Sequence, residues 1–348
     1  MRVATFNLYQ FLEPPNHWYE RKDNGRSTHT EDAWQDKTNW IGEQLLRTDA
    51  DVVAFQEVFS IEALRVLCEQ AGYPHFATAS EPVQDPEDPE VFFNPVVAIA
   101  SRFPILRTDP VTVDEGLKAF LPVEDDFSLS RPPVCVVVDT PDFGEVTVYG
   151  VHLKSKRPKM DGAPYPDDMP WRDRVYDTMR QMSRGHVWSM LQRGAEAAAL
   201  YLRAAAQLEA EETRPIIVLG DLNDDSRSVA LRAITMADPI YDIGGLSEAD
   251  WPPGTKAHMH RFRLKDAFHL WPNESGAPRP GTYIFRQEWS TLDYILLSDV
   301  FSDLSPNSIG RVTDFDVLTD HMLNDGVGKS RQSDHGIVVA EITPKAQS

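Results

Sequence analysis

This sequence is short of cysteine, of positive charge and of long apolar runs. It has 348 residues but two cysteines, Cys68 and Cys135, each inside an apolar stretch, which indicates buried thiols and excludes a disulfide framework. No run approaches the roughly 18 consecutive apolar residues that suggest a membrane span. The start, MRVATFNLYQ, lacks the basic head and apolar segment of a secretory signal. We therefore expect a cytoplasmic protein, unless a leader has been trimmed from the chain.

Basic residues are outnumbered by acidic ones. The chain has 34 lysines and arginines against 54 aspartates and glutamates, a net charge of −20. A field of this sign repels the phosphate backbone of a nucleic acid. A polyanionic substrate therefore requires a local basic patch, metal ions, or both. Carboxylates are ligands for divalent cations, although acidity of this kind also serves solubility alone.

The sequence is rich in short β-like runs that alternate with helical stretches, and it has no internal repeat. Strands are predicted for VATFNLY, DVVAFQEV, VVAIASR, PPVCVVVD, VTVYGVHLK, RPIIVLGDLN, TLDYILLS and GIVVAEI. Helices are predicted at 33–48, 60–71 and about 171–211. Gly185 and Gly194 indicate breaks in the longest helix.

We predict one α/β domain with mixed sheets over residues 1–344 and a tail at 345–348. A helical insertion at about 154–211 is locally basic, because residues 154–193 contain nine basic and five acidic side chains. Interspersed aromatic residues make this segment suitable for a nucleic-acid strand. The alternative is that its aromatics pack inward and its charges are solvated. The candidate substrate contacts in this segment are Lys154, Lys156, Arg157 and Arg193.

Polar residues recur at or near the ends of the predicted strands, where an α/β enzyme places its chemistry. In chain order they are Asn7, Gln56, Glu57, His152, Asp221, Asn223, Asp293, Asp334 and His335. Each has an ordinary explanation when taken alone, since Gly-Asp-x-Asn is often a turn. Their recurrence on successive strand ends predicts a single catalytic site.

This set of motifs resembles the endonuclease/exonuclease/phosphatase superfamily, which includes DNase I-like nucleases. The resemblance spans nearly the whole chain and rests on Asn7, Gln56-Glu57, His152, GDLN, LDY and SDH. The HLKSK continuation after His152 is similar to a generic bacterial nuclease-like branch. The resemblance implies a DNase I-like, four-layer α/β sandwich of two mixed β-sheets flanked by helices, with the site at one edge.

A phosphodiester hydrolase needs charge neutralisation, an activated water and protonation of the departing oxygen. Mg²⁺ prefers oxygen ligands, so Glu57 is the first candidate ligand and Asn7 the second; Mn²⁺ is a possible substitute. Asp221 is predicted to orient or deprotonate the water, and Asn223 to bond the nucleophile or a phosphate oxygen.

The resemblance implies three further roles. His335 contacts the scissile phosphate and is oriented by Asp293. Asp334 faces the metal, and His152 is a phosphate-contacting donor. Two other motifs are expected to lie outside the site: Asp320-His321, which precedes a polar loop with no strand to hold the imidazole, and His258 with His260, which are interpreted as solvated loop residues.

We therefore expect a Mg²⁺-dependent phosphodiester hydrolase, a nuclease acting on DNA or RNA as a monomer without a membrane partner. A phosphatase or phosphodiesterase for a small phosphorylated metabolite or lipid headgroup is the alternative, and a non-catalytic binding protein of this fold is a further one. GDLNDD and STLDYIL lack motifs that resemble those of inositol 5-phosphatases and abasic-site endonucleases, which disfavours both branches.

Overall fold

The structure is a computed structural model that describes residues 1–21, 27–121, 127–160, 162–323 and 331–345. Its strands are β1 (Arg2–Phe11), β2 (His17–Trp18), β3 (Val52–Val58), β4 (His75–Thr78), β5 (Val83–Gln84), β6 (Val91–Asn94), β7 (Val96–Ser101), β8 (Ile105–Pro110), β9 (Val134–Thr140), β10 (Gly144–His152), β11 (Ile216–Asp221), β12 (Asp242–Ile243), β13 (Leu246–Ser247), β14 (Lys265–Asp266), β15 (Tyr283–Phe285), β16 (Glu288–Ser290), β17 (Asp293–Leu297), β18 (Gly310–Leu318) and β19 (Ile337–Pro344). Its α-helices are α1 (Glu31–Thr48), α2 (Ile61–Gln70), α3 (Glu115–Phe120), α4 (Trp171–Ala210), α5 (Val229–Thr235), α6 (Thr255–Arg261) and α7 (Ala267–Leu270).

Two mixed sheets form the centre of the molecule. The first has the strand order β18-β19-β1-β3-β7-β4, and the second has the order β14-β17-β11-β10-β9-β8. Strand β1 pairs in parallel with β3, and β10 pairs in parallel with β11. In these pairs Asn7 lies opposite Gln56, and His152 lies opposite Asp221. Asn7 and Gln56 therefore lie side by side within the first sheet, and His152 and Asp221 lie side by side at the ends of their strands in the second.

The two sheets pack face to face through alternate apolar side chains, with helices on both outer faces. Val52, Ile99, Val136, Val148 and Ile217 are members of the core between the sheets. Helices α1 and α2 pack on the outer face of the first sheet, and α4 and α5 pack on that of the second. This confirms the predicted four-layer sandwich, in which each apolar face is buried against another layer.

The longest helix differs from its prediction. Helix α4 is continuous over 40 residues, so the breaks predicted at Gly185 and Gly194 are wrong. A Cβ at Gly185 would lie 2.1 Å from the carbonyl oxygen of Lys159. The glycine is therefore needed for a close approach between the helix and the segment before it, and the helical hydrogen bonds continue through it.

Three smaller expectations can be compared with the structure. Cys68 and Cys135 are buried and free, as predicted. His258 and His260 lie on the short helix α6, so the predicted loop is wrong there. No helix in the described part of the chain is both long and apolar enough to cross a lipid bilayer. Residues 346–348 of the predicted tail lie outside the described residues.

Candidate active site

The ends of strands from both sheets converge on Asp221, the last residue of β11. His152 ends the neighbouring strand β10, and Asp293 begins β17 on the other side, opposite Asp221 in register. From the facing sheet, Asn7 donates a hydrogen bond from its Nδ2 to Oδ2 of Asp221 at 3.1 Å. All four side chains are buried. The site therefore lies where the two sheets meet at one edge of the sandwich.

The carboxylate of Asp221 is held by several polar groups. Its Oδ1 accepts from the backbone N–H of Asn223 at 2.8 Å, and its Oδ2 accepts from Asn223 Nδ2 at 3.3 Å. Asn223 has a φ of 54°, a left-handed conformation that asparagine tolerates and that turns its amide back toward Asp221. Burial, together with the nearby charge of Asp293, raises the pKa of Asp221 to about 7. This carboxyl is therefore poised to exchange a proton near neutral pH.

Asp293 and His335 form a buried pair. His335 Nδ1 donates to Asp293 Oδ2 at 2.9 Å, which leaves Nε2 4.0 Å from Oδ2 of Asp221. Burial alone lowers the pKa of His335, but the carboxylates of Asp293 and Asp221 outweigh it and raise the pKa well above its usual value. The backbone N–H of Asp293 donates to Thr282 Oγ1 at 3.1 Å. The pair thus presents a charged imidazole with a fixed ring orientation.

Glu57 lies close to this centre at the end of β3. Its φ of 61° is unusual for a glutamate, and its Oε2 accepts from the backbone N–H of Gln10 at 2.9 Å. Tyr9 and Gln10 also have positive φ values, of 50° and 55°. Backbone conformations of this kind persist where the surrounding structure enforces them, which is common at functional sites. Burial and the neighbouring Asp334 raise the pKa of Glu57.

The residues present fit a divalent cation. Glu57, Asp334 and Asn7 offer oxygen atoms, which are the donors that Mg²⁺ prefers. Burial and the charge of Asp334 both raise the pKa of Glu57, and a bound cation would offset both effects. Ligand atoms of Asp221, Asp293 and His335 also lie within 4.8 Å of one another and could bind a metal. A protonated imidazole cannot coordinate, so we interpret this second group as a hydrogen-bonded network.

The sequence and fold now identify the family. The Endonuclease/Exonuclease/phosphatase family model matches residues 4–335. This chain belongs to the Endonuclease/Exonuclease/phosphatase family. Members of this family generally hydrolyse phosphate esters and depend on a divalent metal. No curated protein matches the chain.

Solved structures of other proteins share the fold of this family member. An endonuclease/exonuclease/phosphatase from Beutenbergia cavernae is 17% identical, with 99% of this chain and 72% of that chain covered and a TM-score of 0.55. Mannosyl-6-phosphatase Bt3783 of Bacteroides thetaiotaomicron is 17% identical, with 99% of each chain covered and a TM-score of 0.53. The human Nocturnin catalytic domain with bound sulfate is 16% identical, with 99% and 94% covered and a TM-score of 0.55. At these identities the likeness concerns the fold alone.

The four predicted substrate contacts of this family member differ in exposure and in their ionic partners. Lys154 is half-buried, which lowers its pKa to about 8, and Arg157 is exposed. Lys156 is exposed but lies 3.0 Å from a carboxylate oxygen of Asp224. Arg193 is buried and donates from Nε to the other oxygen of Asp224 at 2.8 Å. Its assignment to substrate binding is therefore corrected, since this guanidinium ties α4 to the turn after Asp221.

Sequence reasoning missed Arg131. Its guanidinium donates to the carbonyl oxygen of Leu153 at 3.1 Å, just beyond His152. Burial, together with the positive charge of Arg131, holds the pKa of His152 well below its usual value, so His152 stays neutral. Arg131 precedes β9, which pairs antiparallel with β10. The start of β9 therefore meets the His152 end of β10, and this pairing is the signal that could have identified Arg131.

Lys37 was missed as well. The side chain is fully buried on the inner face of α1, and its Nζ donates to the carbonyl oxygen of Gln332 at 2.5 Å. Burial lowers the pKa of Lys37 to about 7, although the charges of Asp334 and Glu57 act to raise it. Its spacing of four residues from Ile41 is the available signal, because a lysine on an apolar helix face is rare.

The Asp320-His321 motif is only partly as expected. His321 makes no direct contact with the buried carboxylates of the site in the hydrogen bonds that the described residues form. The imidazole, which was expected to have no strand to hold it, is held by other contacts, because His321 is buried and its Nε2 lies 2.8 Å from the backbone carbonyl oxygen of His335. The ring also packs against Trp40 at 4.9 Å between centroids. His321 therefore supports the backbone that carries His335.

Proposed function

We propose that this protein is a Mg²⁺-dependent phosphodiester hydrolase, a nuclease that acts on DNA or RNA. The observation that carries the proposal is the arrangement around Asp221. A buried carboxylate with a pKa near neutrality lies 4.0 Å from the charged imidazole of His335, beside the oxygen donors Glu57 and Asp334. Groups suited to water activation, phosphate neutralisation and cation binding thus lie in one cluster of side chains.

Asp221 orients the attacking water and accepts its proton. A general base is most effective when its pKa lies near the working pH, and burial together with Asp293 produces this condition. Asn223 and Asn7 donate to the carboxylate and fix the direction of its free lone pairs. The water is thereby held in one orientation for attack on phosphorus, which lowers the entropy cost of the reaction.

His335 and His152 contact the phosphate. Nε2 of His335 donates to a non-bridging oxygen, since its Nδ1 is engaged by Asp293. This imidazolium stabilises the negative charge that grows in the transition state. His152 is neutral and buried, and within the described residues its Nδ1 has no hydrogen-bond partner. It supplies a second, uncharged contact on the opposite side of Asp221 from Asp293.

Glu57, Asn7 and Asp334 would hold Mg²⁺, with Mn²⁺ as a substitute. A bound Mg²⁺ supplies Lewis-acid polarisation of the phosphoryl group and stabilises charge on the leaving oxygen. Lys37 fixes the Gln332 carbonyl, two residues before Asp334, and so keeps that carboxylate beside Glu57. The buried lysine therefore contributes by positioning a ligand.

The surroundings of Glu57 support a nucleic-acid strand as the substrate. Tyr19 is a partly exposed aromatic residue that lies within range of the charges of Glu57, Arg131 and Arg157. Cations pair with the phosphate backbone, and an aromatic ring stacks on a base. In a chain with a net charge of −20, such a local group of cations is what a polyanion requires.

A phosphatase for a small phosphorylated molecule is the second candidate. The mannosyl-6-phosphatase among the similar structures carries the name of such an activity. Lys156 and Arg193 pair with Asp224, which reduces the cationic surface that is available to a long polyanion. A compact substrate would need only Arg131, Arg157 and the cation site.

A substrate comparison distinguishes the two candidates. Single-stranded oligonucleotides and a hexose 6-phosphate are incubated with Mg²⁺, with Mn²⁺ and with a chelator. We expect metal-dependent cleavage of the oligonucleotide. Arg157→Gln should raise the KM for the oligonucleotide about fivefold at low salt and leave kcat unchanged, because it removes one phosphate contact. The exposed Arg232→Gln is the matched control. Faster turnover of the sugar phosphate, with no effect of Arg157→Gln, would favour the second candidate.

A further inference from the structure

The N-terminal half of α4 extends beyond the sandwich, next to the active site. Lys154 donates from its backbone N–H to Glu196 at 2.6 Å, and Tyr149 donates from its hydroxyl to Gln207 at 2.6 Å. Helix α4 therefore runs antiparallel to β10, and its earlier residues continue past the His152 end of that strand. Residues 171–191, here called the arm, span about 30 Å at 1.5 Å per residue.

One face of the arm is covered by residues of 154–160 and 162–170. Ser189 donates from Oγ to the carbonyl oxygen of Arg157 at 2.7 Å. Arg174 donates to the carbonyl oxygen of Pro166 at 2.6 Å. Gly185 admits the backbone of Lys159 against the helix. These contacts hold the arm in a fixed orientation relative to the residues that follow His152.

A neighbouring face of the arm is exposed and apolar. Its members are Trp171, Val175, Met179, Met182 and Met190, here called the apolar stripe. Their spacing of three, four and eight residues aligns them along one side of the helix, with His186 between the last two. Trp171 is 77% exposed and Met179 is 58% exposed. Tyr176 and Val187 widen the apolar surface beside the stripe.

The charge beside the stripe is positive, although the chain as a whole is acidic. Arg172, Arg180 and Arg184 are exposed on the arm, whereas Asp173 is its exposed acid and the half-buried Asp177 lies 3.8 Å from Arg180. An apolar helix face with a Trp and a border of arginines has the composition of a helix that lies in the interface of an anionic membrane. The arginines provide attraction to the headgroups, and the stripe provides apolar area that enters the acyl boundary.

Two other occupants fit the arm less well. A nucleic acid would use the arginines and Trp171, but it offers nothing to Val175 and the three methionines of the stripe. A second copy of the chain would pair two helices along a strip about 30 Å long and 10 Å wide. Such a strip is small beside the roughly 800 Å² per partner of a standard protein interface.

We infer that the arm docks this enzyme on the surface of an anionic phospholipid bilayer, with the stripe against the lipid. This inference departs from the expectation of no membrane partner, because the apolar side chains become contiguous only when residues 171–190 form one uninterrupted helix. It concerns location and does not depend on the substrate of the proposed hydrolase. The active site would face the region just above the headgroups.

Co-sedimentation with vesicles tests the inference. The whole protein is mixed with vesicles of phosphatidylcholine alone and of phosphatidylcholine with phosphatidylserine. We expect binding to the anionic vesicles and weaker binding in high salt. The double variant Trp171→Glu, Met179→Glu should lower the apparent affinity about tenfold or more, because it places two charges in the lipid-facing stripe.

The matched control is Phe120→Glu, Leu304→Glu, which changes two side chains that are 83% and 93% exposed elsewhere on the surface. It should bind vesicles as the wild type does. Absence of vesicle binding, or equal loss in both double variants, would overturn the inference. A wild-type dimer that only the arm variant dissociates, without vesicle binding, would also overturn it and point to a second copy. Hydrolysis of a soluble oligonucleotide, measured in parallel, reports on the proposed function separately.

Discussion

Two neighbouring regions of helix α4 differ in which side chains they bury and which they expose. Where α4 meets the sandwich, its Arg193 is buried and pairs with the buried Asp224 of the turn after β11. Along the arm, large apolar groups such as Trp171 and Met179 are exposed to water. Burying a charge requires a partner, whereas exposing an apolar group requires only that the rest of the fold be stable.

The buried, paired groups serve the proposed chemistry, and the exposed arm serves the proposed docking. The chemistry lies on strand ends whose side chains are fixed by several hydrogen bonds each, as around Asp221. The arm carries its exposed side chains on a helix that is held on one face only. Substitutions should therefore act on turnover at the strand ends and on docking along the arm.

The largest effect is expected for Asp221→Asn. An amide keeps the size of the carboxylate but cannot accept a proton, so the rate of hydrolysis should fall by about 10²–10⁴-fold. The melting temperature should change little, because the loss of an acceptor for the Asn7 amide is offset by removal of the repulsion from Asp293. Steady-state kinetics and thermal unfolding are measured beside Asp238→Asn, an exposed control. Turnover equal to that of the wild type would refute the role in water activation.

A smaller loss is expected for Asp293→Asn. The imidazole of His335 loses the carboxylate that orients it and that raises its pKa. We expect a 10–100-fold decrease in kcat, as is typical when the partner of a functional histidine is removed. The basic limb of the pH profile should move to lower pH, since the imidazolium would then deprotonate more readily. An unshifted profile would contradict the assigned function of the pair.

The third prediction concerns stability at low pH. Burial lowers the pKa of His29 to about 4, and its Nε2 lies 2.9 Å from the carbonyl oxygen of Gln10. Between pH 6.5 and 4 the unfolded chain binds a proton at this histidine and the folded chain does not, so stability is lost as the pH falls. The contribution is about 2 kcal/mol between about pH 7 and about pH 5.

Urea unfolding at these two pH values, with His29→Gln as the comparison, measures this contribution. The variant should show a smaller loss of unfolding free energy on acidification than the wild type. An equal loss in both proteins would assign the acid sensitivity to other groups, such as the buried His321.

The smallest effect is expected for the arm in solution. Trp171→Glu with Met179→Glu replaces exposed side chains, which typically changes stability by no more than about 0.5 kcal/mol. Turnover of a soluble oligonucleotide should change less than about twofold, because neither residue lies among the strand-end groups. A large loss of turnover of the soluble oligonucleotide would show that the arm takes part in substrate binding, and would contradict its assignment to docking alone.

The convergence of the strand ends could be predicted from the sequence. Period-two apolar runs identify strands, and polar residues such as Asp221 and His335 that follow or precede them must lie at sheet edges. The partners of individual charges could not be predicted in this way. Arg193 was expected to contact the substrate because it lies in a locally basic segment, yet it pairs with Asp224, 31 residues away. Local periodicity indicates which face of a helix or strand is apolar. It does not indicate which distant charged residue a side chain on that element pairs with.

The structure also differs from the sequence-based expectations at Gly185 and His321, for a similar reason. Gly185 reads as a helix break from its propensity, but its function depends on the backbone of Lys159, which only the folded chain brings there. His321 reads as a loop residue because a polar segment follows it, although Trp40 from α1 covers its ring. In both cases a tertiary contact overrides a local preference.

The proposed cation site at Glu57 can be measured without any reaction taking place. Electron paramagnetic resonance of Mn²⁺ titrated into the protein reports bound ions without any need for a substrate. Glu57→Gln should abolish the tight Mn²⁺ site, whereas Glu62→Gln, an exposed glutamate on α2, should retain it. Tight binding that is equal in the wild type and in Glu57→Gln would contradict a catalytic cation held by Glu57, Asn7 and Asp334.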